Sequence, residues 1–289
     1  MEANKIRKIT LENSEYPRIL KEISDPPTEL YVRGNFSKKD EIAIGVVGTR
    51  SFTSYGKQTA YDIAGDLAEA GITIVSGLAK GIDTFAHKAA LERGGRTIAV
   101  LGSAIDPKSV YPSCNRKLAE KIAQNGVVIS EYPIGTMSER YFFPQRNRII
   151  SGLSLGLLVI EAPEKSGALI TASCALDQNR EVFAIPGSIY CKNSIGTNKL
   201  IQMGAKLVTN ANDVLDELNL PLLEKKRIKF KPKSKEEEII LNIITKEAIH
   251  IDEITKKSNL NAGIVSSTLI GLELRGIVKN IGGSNYILI

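Results

Sequence analysis

Seven short, continuously apolar segments, separated by amphipathic ones, constrain the fold of this chain most strongly. The apolar segments span residues 42–47, 72–76, 97–102, 127–130, 155–161, 181–185 and 205–209. Between them, stretches such as YGKQTAYDIAGDLAEAG and CNRKLAEKIAQNG repeat apolar residues at helical spacing and end in glycine. Strands that are apolar on both faces are typical of parallel sheets covered by helices on both sides. The sequence therefore predicts an α/β fold with a Rossmann-like, doubly wound parallel sheet.

The pattern predicts four regions along the chain. Residues 1–41 form an N-terminal lead-in, extended with one helical turn, and residues 42–220 form the Rossmann-like domain. Residues 221–235 are a basic linker. Residues 236–289 read as a first helix, then a helix, a break at SNLN, a further helix and two short strands joined by Gly282-Gly283, which is the pattern of a small winged-helix domain. Its recognition helix, AGIVSSTLIGLELRG, has Arg275 as its only basic residue, which favours protein contacts over direct DNA reading.

The positive charge of the chain is concentrated in one place. The net charge is +6, and residues 225–235 (KKRIKFKPKSK) hold seven basic groups and no acidic one. Residues 236–289 hold five basic and seven acidic groups, so residues 1–224 are nearly neutral. The basic run is either a solvated tether or a hold on nucleic acid. A polyanion site in the main domain has to be built from a few well-placed residues.

Other features exclude several classes of protein. No apolar run approaches the roughly 18 residues of a membrane span, and the N-terminal sequence MEANKIRKIT has no signal-peptide core. The three cysteines are odd in number and lack metal-ligand spacing. We therefore expect a cytoplasmic protein in a reducing compartment, with no metal, no cofactor and no membrane partner.

Ligands of such folds bind at the carboxyl ends of the strands, so the loops there are the candidate sites. In VVGTRSFTSYGK, Gly48 permits a tight exit from the strand, Ser54 is positioned to cap the next helix, and Arg50 lies beside that helix start. The Walker and dinucleotide-binding spacings are both absent, which argues against ATP hydrolysis and hydride transfer. In SGLAKGIDTFAH, Asp83 and His87 share a helix face, which suits a structural pair better than a catalytic one.

The stretch FFPQRNRIISG combines aromatic and basic residues just before a buried strand. Pro144 predicts a helix start that leaves Phe143 at the entrance and Arg146, Asn147 and Arg148 in the first turn. Arginines at a helix start are unfavourable because their charge opposes the helix dipole, and a bound polyanion would reverse that energetic penalty. Phe143 offers a ring face on which a base can stack. The alternative places both phenylalanines in the core with two solvated arginines.

Two later loops repeat the anion-binding pattern. Lys165, Ser166 and Gly167 precede one helix, and Gly187 and Asn198 belong to the loop before another. Together the loops predict a row of phosphate-binding helix starts along one sheet edge. Such a row suits a strand of nucleic acid better than a single mononucleotide.

Several of these motifs, in this order, resemble the DNA-processing protein A family (DprA, also called Smf). They are GVVGTRSFTSYG, VSGLAKGIDTFAH, FPQRNRIISGLSLGLLVIEAPEKSGALITASCALDQNREVFAIPGSI and GTNKLIQMGAKLVTNANDVL. The resemblance covers about residues 14–218, and a C-terminal winged helix also occurs in many members. It implies a bacterial protein without catalytic activity that binds single-stranded DNA, protects incoming DNA during natural transformation and helps load the RecA recombinase. It also implies a homodimer, with DNA running across two copies of the site.

The resemblance also assigns roles to residues. Thr49 and Arg50 would contact phosphate. Phe143, Arg146 and Asn147 would hold the strand, and Ser166, Gly167 and Asn198 would complete the rim. Apart from the resemblance, the chemistry of the strand-end loops predicts further phosphate contacts from Gly48, Ser54, Arg148, Lys165 and Gly187. Arg148 has a second possible role, in which it turns back to pair with Glu161.

Two other functions remain as alternatives. Nucleoside monophosphate phosphoribohydrolases share this strand-end geometry, but their Pro-Gly-Gly-x-Gly-Thr-x-x-Glu signature is interrupted here, and Lys199 or Leu200 stands where the glutamate should be. A winged-helix DNA-binding regulator is the other alternative. The near-neutral charge of that domain and its base-poor helix count against it.

Overall fold

The computed structural model describes residues 5–223, 232–245 and 247–288. The chain divides into two compact units, the first of which ends at Leu223. Leu223 is held to the first unit by the side-chain amide of Asn212, which accepts from the Leu223 N–H (2.9 Å) and donates to its C=O (3.0 Å). Of the predicted linker, residues 224–231 lie outside the described residues. Ser234 already belongs to the second unit, because its side chain caps that unit's first helix.

The first unit is a nine-stranded sheet with helices on both faces. Its strands are β1 (Arg7–Thr10), β2 (Glu29–Gly34), β3 (Ala43–Val47), β4 (Thr73–Ser76), β5 (Thr97–Val100), β6 (Val127–Ser130), β7 (Gly156–Val159), β8 (Glu181–Ala184) and β9 (Lys206–Leu207). Its α-helices are α1 (Arg18–Lys21), α2 (Ser54–Glu69), α3 (Ile82–Glu92), α4 (Arg116–Asn125), α5 (Phe142–Gly152), α6 (Gly167–Asp177), α7 (Ile195–Gln202) and α8 (Ala211–Glu217).

The strand order is β1-β2-β6-β5-β4-β3-β7-β8-β9, and the pairs from β6 to β9 are parallel. This confirms the predicted doubly wound sheet, and each of the seven apolar segments contains one of its parallel strands. The lead-in contributes β1 and β2, which pair with each other and, through β2, with β6 in antiparallel register. Strand order reverses at β3, whose neighbours are β4 on one side and β7 on the other. The loops that follow β3 and β7 therefore diverge, leaving a crevice at the switch point.

Strand β7 and the residue after it show how the apolar segments build two cores. Successive side chains of a strand point to opposite faces. Leu157 and Val159 join the cluster beneath α5 and α6, whereas Leu158 and Ile160 join the cluster beneath α2 and α3. All four are at most 1% exposed, and burying each such side chain contributes roughly 1.5–3 kcal/mol.

The second unit has the winged-helix arrangement that the sequence predicts. It consists of α9 (Lys235–Ile243), β10 (Ile249–His250), α10 (Ile251–Ser258), α11 (Ala262–Leu274), β11 (Val278–Gly282) and β12 (Asn285–Leu288). The break between the helices falls at Asn259, which adopts a left-handed conformation, and Asn261 caps α11. The short strand β10 pairs with β12 and was missed by the sequence analysis, because two residues carry no strand periodicity.

Candidate nucleic-acid interface

A cavity of about 270 Å³ opens at the switch point, between the loops after β3, β4 and β7 and the first turns of α5 and α6. Nine of the residues predicted from the sequence line it: Gly48, Thr49, Arg50, Phe143, Arg146, Asn147, Lys165, Ser166 and Gly167. Four others, namely Ser54, Arg148, Gly187 and Asn198, lie outside its lining. The loops after β3 and β7 and the start of α5 therefore converge on one cavity, as predicted, but four of the predicted phosphate-binding residues do not line it.

The loop after β3 presents Arg50 to solvent while holding Thr49 in place. Thr49 is 7% exposed, its backbone N–H donates to the carbonyl of Glu161 (2.8 Å), and its hydroxyl accepts from the Ser51 N–H (3.2 Å). The Arg50 guanidinium carbon lies 5.2 Å from the centroid of the Phe143 ring, within the range of a cation–π contact. Arg50 is thus an exposed cation that an aromatic ring supports from within the cavity.

The prediction that Ser54 caps α2 was wrong by one residue. Thr53 is the cap, and its hydroxyl accepts from the Gly56 N–H (3.1 Å). The carboxylate of Glu161, which is 1% exposed, accepts from the Thr53 N–H (3.0 Å) and from the Thr53 hydroxyl. A buried carboxylate of the protein therefore already occupies the start of α2, so this helix is not a phosphate-binding start.

The two phenylalanines at the start of α5 have different environments. Phe142 is 9% exposed and packs against Tyr132, with ring centroids 3.9 Å apart. Phe143 is partly exposed and lies beside Tyr111, with ring centroids 5.7 Å apart. The helix begins at Phe142, two residues before Pro144, so Arg146 falls beyond the first turn predicted for it. Only Phe143 is placed to meet a ligand.

Arg146 is a buried structural arginine rather than a free cation. It is 4% exposed, and its Nη1 donates to the carbonyls of Gly77 (2.6 Å) and Val100. A Cβ atom on Gly77 would overlap the guanidinium, so the glycine provides the space for Arg146. Burial lowers the pKa of Arg146 to about 10, an effect that neighbouring Asp83 opposes. The group packed against Gly77 at this strand end is therefore the protein's own arginine.

Arg148 pairs with acids of the surrounding fold and not with Glu161. Its Nη2 lies 2.8 Å from Glu131 Oε2, and its Nε lies 2.8 Å from Asp25 Oδ2. The predicted pairing with Glu161 was therefore wrong, and the predicted phosphate contact of Arg148, which lies outside the cavity lining, stays a prediction. The partners are 17 and 123 residues away in the sequence, which is why local reasoning missed them.

The start of α6 is the open helix N-terminus in this cavity. Ser166 caps the helix by accepting from the Ala168 N–H (3.2 Å), and Asn147 donates to the Gly167 carbonyl (3.3 Å). Gly167 is exposed, and a Cβ added to it would meet no atom within 4 Å. With exposed Lys165 beside it, this turn offers backbone N–H groups and a cation to an anion.

Asn198 and Gly187 form hydrogen bonds with each other and do not line the cavity. The Asn198 side-chain amide accepts from the Gly187 N–H (3.2 Å) and donates to the Gly187 C=O (2.9 Å). Both polar ends of the amide are engaged in this pair. Asn198 therefore shapes the loop after β8.

Asp83 and His87 do not form an acid–base pair. One Asp83 oxygen accepts from the N–H groups of Gly77 (3.1 Å) and Ala79 (3.4 Å), whereas His87 Nδ1 bonds to the Thr97 hydroxyl (2.6 Å). His87 is fully buried, and burial lowers its pKa to about 3, so the imidazole is neutral at physiological pH. Burial raises the pKa of Asp83, and nearby Arg146 opposes that rise. Asp83 therefore holds the β4–α3 loop, and His87 joins α3 to the start of β5.

Sequence reasoning missed a second, smaller cavity of about 70 Å³. It shares Arg50, Phe143 and Arg146 with the first and adds Lys80, Tyr111 and Pro112. Lys80 lies within the loop SGLAKGIDTFAH, in which the sequence analysis singled out Asp83 and His87 but not the lysine. Tyr111 follows β5 at the same sheet edge, a position that the strand-end rule could have identified.

The described residues hold no cluster of three or more His, Cys, Asp or Glu side chains arranged to bind a metal ion. Within the same residues, no helix combines the length and apolar character that crossing a bilayer requires.

Comparisons with known proteins agree with this architecture. The DNA processing protein DprA of Bacillus subtilis is 44% identical over 214 residues, which cover 74% of this chain and 71% of that protein. The X-ray structure of DNA processing protein A from Streptococcus pneumoniae matches with a TM-score of 0.71 and 43% identity, covering 77% of each chain. DNA processing protein A from Helicobacter pylori, whose structure was described for its single-stranded DNA binding mode, matches with a TM-score of 0.66 and 32% identity, covering 76% of this chain and 98% of that one.

Family models assign both units. The model for DprA winged helix domains matches residues 230–284, and the model for DNA recombination-mediator protein A matches residues 7–219. The second match covers the sheet, the cavity and every predicted site residue. This chain therefore belongs to the DNA recombination-mediator protein A family.

Proposed function

We propose that this chain binds single-stranded DNA at the switch-point cavity and acts as a recombination mediator. The observation that carries the proposal is the convergence on one cavity of the open α6 start, exposed Arg50 and Lys165, and the partly exposed ring of Phe143. Cations and backbone N–H groups bind phosphates, and an aromatic ring stacks on any base. The Helicobacter pylori relative, described for single-stranded DNA binding, supports the same ligand here.

The contacts suggest how the residues divide the work. Arg50, Lys165 and the Ser166–Gly167 turn bind phosphate oxygens, and Phe143 contacts a base. Thr49, Arg146 and Asn147 position these groups, because their polar atoms bond to the backbone of neighbouring loops. A duplex keeps its bases stacked inside, so a site with a base-stacking ring favours single strands.

The test is fluorescence anisotropy of a labelled dT oligonucleotide and of a duplex of equal length, measured across a salt series. We expect tighter binding of the single strand, with affinity that falls as salt rises. Arg18→Ala is the matched control, since the Arg18 side chain is 93% exposed and lies on α1, away from the cavity lining. Equal or stronger duplex binding would contradict the proposal.

The family resemblance extends the proposal to partners. In this scheme the chain acts as a homodimer, protects incoming DNA and helps load RecA onto it, in the cytoplasm and without catalysis. The check is the rate at which RecA assembles on single-stranded DNA precoated with a single-strand-binding protein. We expect wild-type protein to accelerate assembly and a variant that does not bind DNA to have no effect. Analytical ultracentrifugation tests the dimer.

The enzyme alternative makes a separate prediction. Among the described residues, the buried carboxylates at this edge are engaged with the protein: Asp83 with loop amides and Glu161 with Thr53. Lys199, near the expected glutamate position, is exposed on α7. Release of free base from nucleoside monophosphates would support the enzyme and overturn the proposal of a binding protein without catalysis.

A further inference from the structure

Tyr111 offers the more exposed aromatic surface at the candidate interface. Its side chain is 45% exposed, whereas Phe143 is only partly exposed. The Phe143 ring also has neighbours on several sides: Arg50 lies 5.2 Å from its centroid, Tyr111 lies 5.7 Å away at an interplanar angle of 42°, and a Cβ on Gly102 would come within 2.9 Å of it. Phe143 therefore offers a ligand only part of its ring, while Tyr111 leaves a larger ring surface open beside it.

Two polar residues fix the segment that carries Tyr111. The Asn115 amide, in a side chain 6% exposed, donates to the Leu78 carbonyl (2.8 Å) and to the Thr84 hydroxyl (2.8 Å). On the other side, Asp106 accepts from the Ser109 hydroxyl (2.9 Å), and these loop hydrogen bonds lower the pKa of Asp106 against the opposing effect of burial. The segment is thereby tied to the β4–α3 loop, which carries exposed Lys80. A ring on a fixed segment loses little entropy when a base stacks on it.

The smaller cavity joins these features to the proposed binding site. Lys80, Tyr111 and Pro112 line it together with Arg50 and Phe143, which also line the larger cavity. Bases in a stacked strand are about 3.4 Å apart. Phe143 and Tyr111, with centroids 5.7 Å apart, are near enough for successive nucleotides of one strand to reach both rings.

We infer that Tyr111 and Lys80 form a second nucleotide subsite, in which Tyr111 stacks on a base and Lys80 binds the adjoining phosphate. The strand passes from the larger cavity over the edge of Phe143 to reach it. This inference rests on the proposed single-stranded DNA binding and extends the site by one nucleotide. It gives a role to residues on the loops after β4 and β5 that the sequence analysis left without one.

The first experiment uses the absence of tryptophan from this chain. Tyr111→Trp places a single indole in the subsite, and stacking of a base on it quenches its emission. Titration with dT oligonucleotides is expected to quench Tyr111→Trp in parallel with anisotropy. The control is Tyr190→Trp, because Tyr190 is 92% exposed and lines neither cavity. Binding of DNA by Tyr111→Trp with unchanged emission would overturn the inference.

The second experiment separates the inference from the proposed function. Affinities for a length series of dT oligonucleotides are measured for wild type, Tyr111→Ala and Tyr111→Phe, with thermal unfolding as a check on folding. We expect Tyr111→Ala to bind about 5- to 150-fold more weakly once the oligonucleotide reaches the subsite, and Tyr111→Phe to bind like wild type. For shorter oligonucleotides the three proteins are expected to agree.

The outcomes are distinguishable. If wild type binds no single strand, the proposed function fails. If wild type binds and Tyr111→Ala matches it at every length, the inference alone fails. Lys80→Gln provides an independent check, because removing one cation from a phosphate lowers the slope of log affinity against log salt by about 0.7. An unchanged slope would remove Lys80 from the subsite.

Discussion

The sheet edge and helix α11 are both places where folds of this kind bind nucleic acid, yet their surfaces differ in character. At the sheet edge, exposed Arg50, Lys80 and Lys165 surround two adjoining cavities. Helix α11 exposes Ile270 (54%) and Leu274 (84%) instead.

The basic residue at the end of α11 is also not available as a free cation. This residue is Arg275, whose guanidinium lies 2.5 Å from the carboxylate of Glu237 and whose Nε donates to the carbonyl of Gly271 (3.3 Å). A winged helix that read DNA would present cations to phosphate and base edges. The comparison therefore favours the sheet edge over α11 as the polyanion-binding surface, because cations are exposed around its cavities whereas α11 exposes apolar side chains.

The largest expected effect is the loss of stability in Arg146→Ala, which tests whether the loops at the sheet edge are held together by this buried arginine. Removing the guanidinium takes away the donor to two carbonyls and the stronger of the two cations that act on buried Asp83, at a cost of about 3–5 kcal/mol in the free energy of unfolding. Urea denaturation measures the loss. Arg50→Ala is the matched control, because Arg50 is exposed and its removal is expected to leave stability nearly unchanged. Equal stability of Arg146→Ala and wild type would contradict the buried role.

The next effect concerns His87, one of only two histidines in the chain. Its pKa is lowered to about 3 by burial, whereas an unfolded histidine titrates near 6.5. Between these values the unfolded state binds more protons, so stability is full above about pH 6.5 and falls by a few kcal/mol as pH drops toward 3. We expect His87→Gln to flatten this dependence, measured as unfolding free energy between pH 7 and 4.

The control for that measurement is His250→Gln, because the His250 side chain is 44% exposed and lies in the second unit. It should keep the wild-type pH dependence. If the His87 and His250 variants behave alike, the acid sensitivity comes from other groups, such as the Asp106 and Asp213 carboxylates, whose pKa values are lowered by hydrogen bonds from neighbouring backbone and hydroxyl groups.

Two variants at the sheet edge are expected to distinguish the contribution of a cation to single-strand binding from that of a stacking ring. Arg50→Ala is expected to weaken single-strand binding and to lower the salt slope by about 0.7, because one cation no longer neutralises a phosphate. Phe143→Ala should cost about 1–3 kcal/mol of binding free energy with little change in slope. Anisotropy across a salt series measures both quantities. Identical changes of slope in the two variants would contradict the assigned roles.

The smallest effect is expected from α11. Ile270→Gln and Leu274→Gln replace exposed apolar groups and remove no cation, so single-strand affinity should change less than about twofold, which is about 0.4 kcal/mol. The same anisotropy series measures this. A tenfold loss would show that α11 contributes to DNA binding and would break the comparison between the two surfaces.

The sequence was sufficient for the fold because the fold depends on local periodicity. The seven apolar segments, the break before α11 and the turn at Gly282-Gly283 each follow from neighbouring residues. The same reasoning located the loops that form the cavity, since the carboxyl ends of parallel strands meet at one edge.

What the sequence could not supply were the partners of polar side chains. Arg146 and Arg148 are two residues apart, yet one is buried against Gly77 and the other pairs with Asp25 and Glu131. The Glu161 carboxylate accepts a hydrogen bond from the Thr53 N–H, although the two residues are 108 positions apart in the sequence. Such pairings depend on which loops the fold brings together, and no spacing rule contains that information.

The bond from Arg146 to Gly77 spans 69 residues and joins α5 to the loop after β4. The cavity therefore comes into being only when two distant parts of the chain have docked, and a partly folded chain has no site to offer. A ligand that binds only the assembled site stabilises the whole first unit by mass action. Bound DNA would then stabilise the folded first unit as well as being its ligand. A rise in the melting temperature on adding an oligonucleotide would report both DNA binding and the stabilisation of the docked site.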